Sequence, residues 1–235
     1  MKIKQYLLLA LWLPLTAGAQ KVVPSATYVD ENNNMVDSES DFTAQAPLDV
    51  SFRANPKDLG EHTAAFEWHF RKEGDAKDLL VRYEEDTQYT FKESGTFLVI
   101  LKAKLTDIAM ELDSAVIKVT ISESRLVMPN AFSPNDNLKN DIYGAKGVCD
   151  PNSTEHYRSI VEFHGYIFNR WGQKLFEWTD VSKGWDGKHN GTPVKEGVYF
   201  VRVIAKGADG REYNIKKDIN LLRSYTEGTG TSSNP

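Results

Sequence analysis

Oxygen-bearing side chains crowd into one short stretch, where Asn135, Asp136, Asn137, Asn140 and Asp141 fall within seven residues. Carboxylate and amide oxygens at this density are what a hard cation such as calcium prefers, so Asp136, Asn140 and Asp141 are candidate calcium ligands. The same residue types also close turns, because their side chains hydrogen-bond nearby backbone. Nucleophilic catalysis would need a nucleophile with a base in reach. Cys149, the single cysteine, has His156 as its nearest histidine. The two could pair, but a free loop thiol is the usual meaning of so loose a spacing. Histidines 62, 69, 156, 164 and 189 stand singly, and Glu84-Glu85-Asp86 reads as a solvated charge run. Gly-x-Ser-x-Gly, His-Glu-x-x-His and Gly-x-x-x-x-Gly-Lys are all missing from the sequence. The chain therefore reads as a non-enzyme with no cofactor beyond the calcium candidate. Trp171 and Trp185 could stack on sugar rings. The competing reading, which we prefer for both, is packing at the ends of a small sandwich, where a large aromatic buries about 150–250 Å².

The elements that must carry these residues are strands. With 235 residues, 26% charged and 11% aromatic, the chain has room for one large or two small globular cores. A net charge of −5 gives no electrostatic reason to expect nucleic-acid binding. One cysteine excludes an internal disulfide framework and a Cys-based zinc cluster. Residues 1–19 have the parts of a secretory signal: Lys2 and Lys4, the apolar run Tyr6 to Leu13, and Ala17-Gly18-Ala19 as a small-x-small cleavage site. The run is too short for a membrane-spanning helix, which needs about 20 apolar residues. Cleavage would leave Gln20 first, no transmembrane segment in the mature chain, and an exported, soluble protein. Residues 20–43, rich in Asn, Asp, Ser and Glu, read as a polar leader that packs little beyond an edge strand near Ala26 to Val29. Residues 224–235 read as a disordered tail.

Between these ends the apolar period is mostly 2. Val50 and Phe52 alternate with Ser51 and Arg53. Phe66, Trp68 and Phe70 share one face of the next strand. Phe97, Val99, Leu101 and Ala103 line one side of a long strand, and Ile117, Val119 and Ile121 close the set. A second group follows the Ser122–Arg125 junction. Ile160 to Asn169 turns at Arg170-Trp-Gly-Gln173, where Gly172 can take a positive φ, and returns along Lys174 to Trp178. Gly197 to Ala205 and Tyr213 to Leu222 form another pair around the Ala208-Asp-Gly-Arg211 turn. Short strands with turn signals between them predict an all-β protein of two consecutive antiparallel β-sandwich, immunoglobulin-like units, 44–122 and 126–223.

The first unit resembles the PKD family through Ala46-Pro-Leu-Asp-Val-Ser-Phe52, Phe66-Glu-Trp-His-Phe70 and Tyr89-Thr-Phe-Lys-Glu-Ser-Gly-Thr-Phe-Leu-Val99. It departs where the usual Trp-x-Phe-Gly-Asp-Gly becomes Trp68-His-Phe-Arg-Lys-Glu-Gly-Asp75. The second unit carries Met128-Pro-Asn-Ala-Phe-Ser-Pro-Asn135, Ile167-Phe-Asn-Arg-Trp-Gly-Gln173, Gly184-Trp-Asp-Gly187 and Glu196-Gly-Val-Tyr199, in that order. It resembles the gliding-motility-associated C-terminal domain, similar to type B sorting domains of the type IX secretion system. The resemblance marks Asn130, Asn135, Asn169, Arg170, Trp171, Gly172, Trp185, Asp186 and Gly187 as structural-recognition residues. The family's Asn-Gly-Asp-Gly loop is here Asn135-Asp-Asn-Leu138, and the chain runs on past Leu221-Leu-Arg223. What the resemblance implies is an exported envelope or cell-surface protein, outer-membrane-associated or periplasmic, whose partners are surface proteins or the secretion machinery. The rivals are a fixed component of a secretion or motility apparatus and a carbohydrate-binding accessory protein with a glycan partner.

Overall fold

The computed structural model describes residues 20–136, 139–148 and 156–223. The secretory-signal residues, Asn137, Cys149 and the tail lie outside these. The described residues form strands and turns only, gathered around two hydrophobic cores. No helix among them is long and apolar enough to cross a membrane.

Two sheets sandwich the first core. One runs in the order Phe42–Ala44, Ala115–Ile121, Gly95–Leu105, Ala64–Lys72, Leu80–Arg82. The other runs Met35–Ser38, Ser25–Val29, Leu48–Arg53, Asp86–Phe91. Alternation predicts their inward faces: Phe66, Trp68 and Phe70 on one strand and Phe97, Val99 and Leu101 on its neighbour are buried. Phe52 and Phe91 meet them from the opposite sheet, with Phe52 centred 5.8 Å from Trp68 and 5.6 Å from Phe70. Fully burying a large apolar side chain stabilises by roughly 1.5–3 kcal/mol, so this cluster supplies the bulk of the sandwich's hydrophobic drive.

The polar-leader reading is corrected. Residues 20–44 are built into the sandwich, and Ser25–Val29 is an interior strand, paired with Met35–Ser38 on one side and Leu48–Arg53 on the other. Of its side chains Ala26 enters the core and Tyr28 packs against it, stacked 4.3 Å from Phe42, while Ser25, also buried, lies on the other face. These isolated apolar positions give a weak hydrophobic signal, and the Asp30-to-Asn34 turn dominates the composition. Phe42–Ala44 then pairs in parallel with Ala115–Ile121, crossing the expected boundary at residue 44.

The second core lies under a five-stranded sheet in the order Ala131–Phe132, Glu212–Leu221, Gly197–Gly207, Ile160–Phe168, Lys174–Trp178. Its opposing layer is slight. The ribbon Tyr143–Gly144 with Gly184–Trp185 brings Tyr143 and Trp185 onto Ile167, Val203, Ile219 and Leu221. A second small ribbon joins Lys188–His189 to Thr192–Pro193. As in the first sandwich, one edge contact is parallel, here Ala131–Phe132 on the last strand.

The junction is packed on both sides. Ser94 donates its backbone N–H to the Ala208 carbonyl, 3.0 Å, and Ala208 donates to the Ser159 carbonyl, 2.9 Å. Ala208, only 8% exposed, belongs to the first core although it sits in the second unit's turn. Ser124 donates its hydroxyl to Asp209 Oδ1 at 2.7 Å and its N–H to Oδ2 at 3.1 Å, and it shares a 2.9 Å hydrogen bond with Tyr213.

Candidate functional site

The tip joining Ile160–Phe168 to Lys174–Trp178 is organised by one side chain. Asn169 Oδ1 accepts the backbone N–H groups of Trp171 and Gln173, both at 3.0 Å, and its Nδ2 donates to Gln173 Oε1 at 3.0 Å. Gly172, at φ 80°, donates its N–H to the Asn169 carbonyl at 3.0 Å. Glycine reaches this conformation without the steric cost other residues bear. The turn therefore uses Asn169 and Gly172 and, from Trp171, only the main chain. The indole points outward and is 75% exposed, which corrects the packing expectation for Trp171. Its hydrophobicity suggested burial, but a hairpin tip has no layer above it. The Arg170 guanidinium lies 4.2 Å from the indole centroid, a cation–π distance that holds both side chains as a flat platform.

Beside this platform runs a groove of about 640 Å³, whose far wall is the start of strand Gly197–Gly207. Val198 and Phe200 on that wall are 50% and 44% exposed. Lys195, Glu196 and Leu175 also line it. Sequence reading missed Val198 and Phe200, but a signal was present. Tyr199, Val201 and Val203 already fill the inner face, so further apolar residues at the alternate positions mark a strand with two apolar faces. Next to Phe200 across the sheet stands Phe168, followed by Tyr166 and His164. Their rings stack, His164 on Tyr166 at 4.3 Å and Tyr166 on Phe168 at 6.2 Å. His164 Nε2 pairs with Glu177 Oε1 at 2.6 Å, and Lys174 pairs with Oε2. Hydrogen bonds from Lys174 first and His164 second hold the Glu177 carboxyl below its ordinary value.

The other predicted residues serve the inside of the unit. Trp185 is fully buried, donates Nε1–H to the Lys188 carbonyl at 2.7 Å, and packs 5.4 Å from Phe132 and 5.2 Å from Tyr199. Asp186 caps the following turn by accepting the Lys188 N–H at 3.0 Å. Gly187, at φ 75°, offers its carbonyl to Arg223 at 2.9 Å and to the Val194 N–H at 3.0 Å. Asn130 accepts from Lys217 through its side chain and from the Asn220 N–H through its carbonyl at 2.9 Å. Burial pulls the Lys217 ammonium below its ordinary value.

In the oxygen-rich loop, Asp141 Oδ1 accepts the backbone N–H groups of Asn135, 2.8 Å, and Asp136, 2.9 Å. Asp136 and Asn140 both adopt positive φ, 59° and 54°. These are turn-forming roles. Among the described residues no group of three or more His, Cys, Asp or Glu side chains could hold a metal ion. Four histidines are engaged locally, His62 with Asp107 at 2.6 Å, His69 with Asp78 at 2.8 Å, His164 with Glu177, and His189 with the Leu175 carbonyl at 2.8 Å.

Comparison with known proteins found no match among curated sequences. Three solved structures illustrate the structural likenesses. The SGBP-B protein of the Bacteroides ovatus mixed-linkage glucan utilization locus, bound to a mixed-linkage heptasaccharide, aligns with TM-score 0.28 at 10% identity. The alignment covers 84% of this chain and 47% of that one. Dimeric latent PorU from Porphyromonas gingivalis aligns with TM-score 0.24 at 11% identity, over 87% of this chain and 20% of that one. A tetra-tandem repeat from the extending region of a large adhesion protein gives 0.26 at 10% identity, over 88% and 68%. This chain thus spans about half the length of the first and a fifth of the second. The blocks from Met128 to Tyr199, brought together by the geometry above, fall in the region that finds a family: residues 126–218, less than half of the chain, match the CHU_C type IX secretion signal domain.

Proposed function

We propose that the protein is a non-enzymatic component of a bacterial envelope or cell surface, exported by its residues 1–19 and addressed onward by its second unit through type IX secretion. The match of residues 126–218 to a type IX secretion signal domain carries this reading. The first sandwich, which resembles the PKD family, acts as spacer or protein-contact unit. β-Sandwich units commonly make such contacts through loops and sheet edges. The test is to express the full chain in a host with type IX secretion and in an isogenic host lacking it. Surface or medium protein in the first host and periplasmic retention in the second is the expected result. Equal distribution in both would refute the assignment.

A second reading, a fixed component that keeps its second unit, is favoured by the junction. Ser124 is 4% exposed and Leu126 is buried, so a protease has no free segment there. Intact mass of the surface form separates the readings. A species running from Gln20 to Pro235 favours the fixed component, and one truncated near Arg125 favours a removable address.

A further inference from the structure

We infer that the groove between the Arg170–Trp171 tip and the Val198–Phe200 wall is the surface by which the second unit docks on its secretion partner, and that it takes a protein segment carrying an apolar or aromatic side chain beside a carboxylate. This rests on the type IX reading and names the contact that reading requires.

The hairpin does not need the indole. Its turn is closed by the Asn169 side chain and Gly172, and Trp171 contributes only its backbone N–H. An exposed tryptophan pre-stacked by an arginine, facing two exposed apolar side chains across a groove, is the composition of a binding hot spot. Because the platform is already ordered, a partner meets little entropy cost in using it.

The polar groups around the groove decide between a sugar and a protein. A sugar needs several free donors and acceptors around its aromatic platform. Here they are taken. The Asn169 amide is closed on Gln173, and the Tyr199 hydroxyl donates to the Lys195 carbonyl at 2.6 Å. The Glu196 carboxylate, part of the groove lining, accepts the Arg223 backbone N–H. Arg170 and Lys195 are left, neither with an ion pair among the described residues. With the Glu196 carboxylate engaged by the Arg223 N–H, the two cations beside the apolar wall complement a carboxylate next to an apolar side chain, and charge-assisted hydrogen bonds from Arg170 would fix its register.

The test uses the full chain. Trp171→Ala, Arg170→Glu and Lys195→Glu are compared with Trp171→Phe and Arg170→Lys, all in the host with type IX secretion. Thermal melting of each purified variant confirms folding, since none of these side chains closes the turn. The expected result is at least a tenfold fall in surface delivery for Trp171→Ala and Arg170→Glu, a smaller fall for Lys195→Glu, and substantial retention in the two conservative variants. Folded Trp171→Ala and Arg170→Glu proteins delivered like wild type, while wild type still depends on the machinery, overturn the docking site and leave the type IX reading standing. Wild-type delivery independent of the machinery overturns both. Glycan-array binding abolished by Trp171→Ala, with delivery unchanged, overturns the protein partner in favour of a sugar.

Discussion

Gly207 is buried where the second unit meets the junction, and a methyl group there has nowhere to go. A Cβ on Gly207 would lie 2.1 Å from Ser124 Oγ, 2.3 Å from Ser124 Cβ and 2.5 Å from Asp209 Oδ1. Its backbone conformation is ordinary, so Gly207→Ala adds steric conflict without φ strain. Overpacking of a tight site costs about 1–3 kcal/mol. Ser124 must also move off Asp209, and a hydrogen bond to a charged group is worth about 1.5–3 kcal/mol. Allowing for partial relaxation, the substitution should destabilise by about 3 kcal/mol. For a chain of this length that lowers the melting temperature by roughly 6–12 °C, at about 2–4 °C per kcal/mol. The assay is thermal unfolding of the full chain by circular dichroism, with Ser124→Gly and the double variant completing a cycle. Ser124→Gly removes two of the three close approaches, so the double variant should recover part of the loss, with a coupling of at least about 1 kcal/mol. A Gly207→Ala protein melting within about 1 °C of wild type, or strict additivity in the cycle, would refute the packed junction.

Trp185→Ala should cost about 3–5 kcal/mol, since it empties the centre of the second core, and the urea midpoint of the full chain should fall accordingly. Asn169→Ala removes the acceptor for two backbone N–H groups at an exposed tip, so about 1–2 kcal/mol is expected from the same titration. Asp78 receives hydrogen bonds from His69 first and Arg71 second, which hold its carboxyl below the ordinary value. A depressed carboxyl stabilises the fold above its unfolded value, and that stabilisation fades as pH falls through the lowered folded value. Asp78→Asn should therefore be less stable than wild type at pH 7, with the gap closing below about pH 4. A gap that widens in acid would show that the sign is wrong.

Much of the architecture is legible in the sequence because long strands alternate strictly. Phe66 to Phe70, Phe97 to Ala103 and Ile117 to Ile121 announce which side is inside, and the burial follows them. Residues 20–44 hide their strands because the inward Val22, Ala26, Tyr28 and Phe42 are scattered among polar residues, and strand identity there comes from partners elsewhere in the chain, Leu48–Arg53 and Ala115–Ile121. Trp171 and Trp185 look alike in sequence, each a tryptophan beside a glycine. One falls beneath a sheet and the other at a tip with nothing above it, a difference set by tertiary layering. Ala208 carries no sequence signal either, since an alanine in a tight turn gives no sign that it completes a neighbouring core. The groove wall at Val198 and Phe200 could have been read from a strand apolar on both faces.

The hairpin of Gly197–Gly207 and Glu212–Leu221 reaches both ends of the second unit. Its turn is seated on the first sandwich through Ala208, and its open end borders the groove at Gly197 and Phe200. Eleven residues of extended strand span about 33–36 Å, so a partner held at the groove stands a fixed distance from the first sandwich. Ten consecutive registered residue pairs join the two strands, so the spacer is a paired ribbon rather than a single strand, and the hairpin sets the separation of the groove from the first sandwich as well as serving as a sheet element.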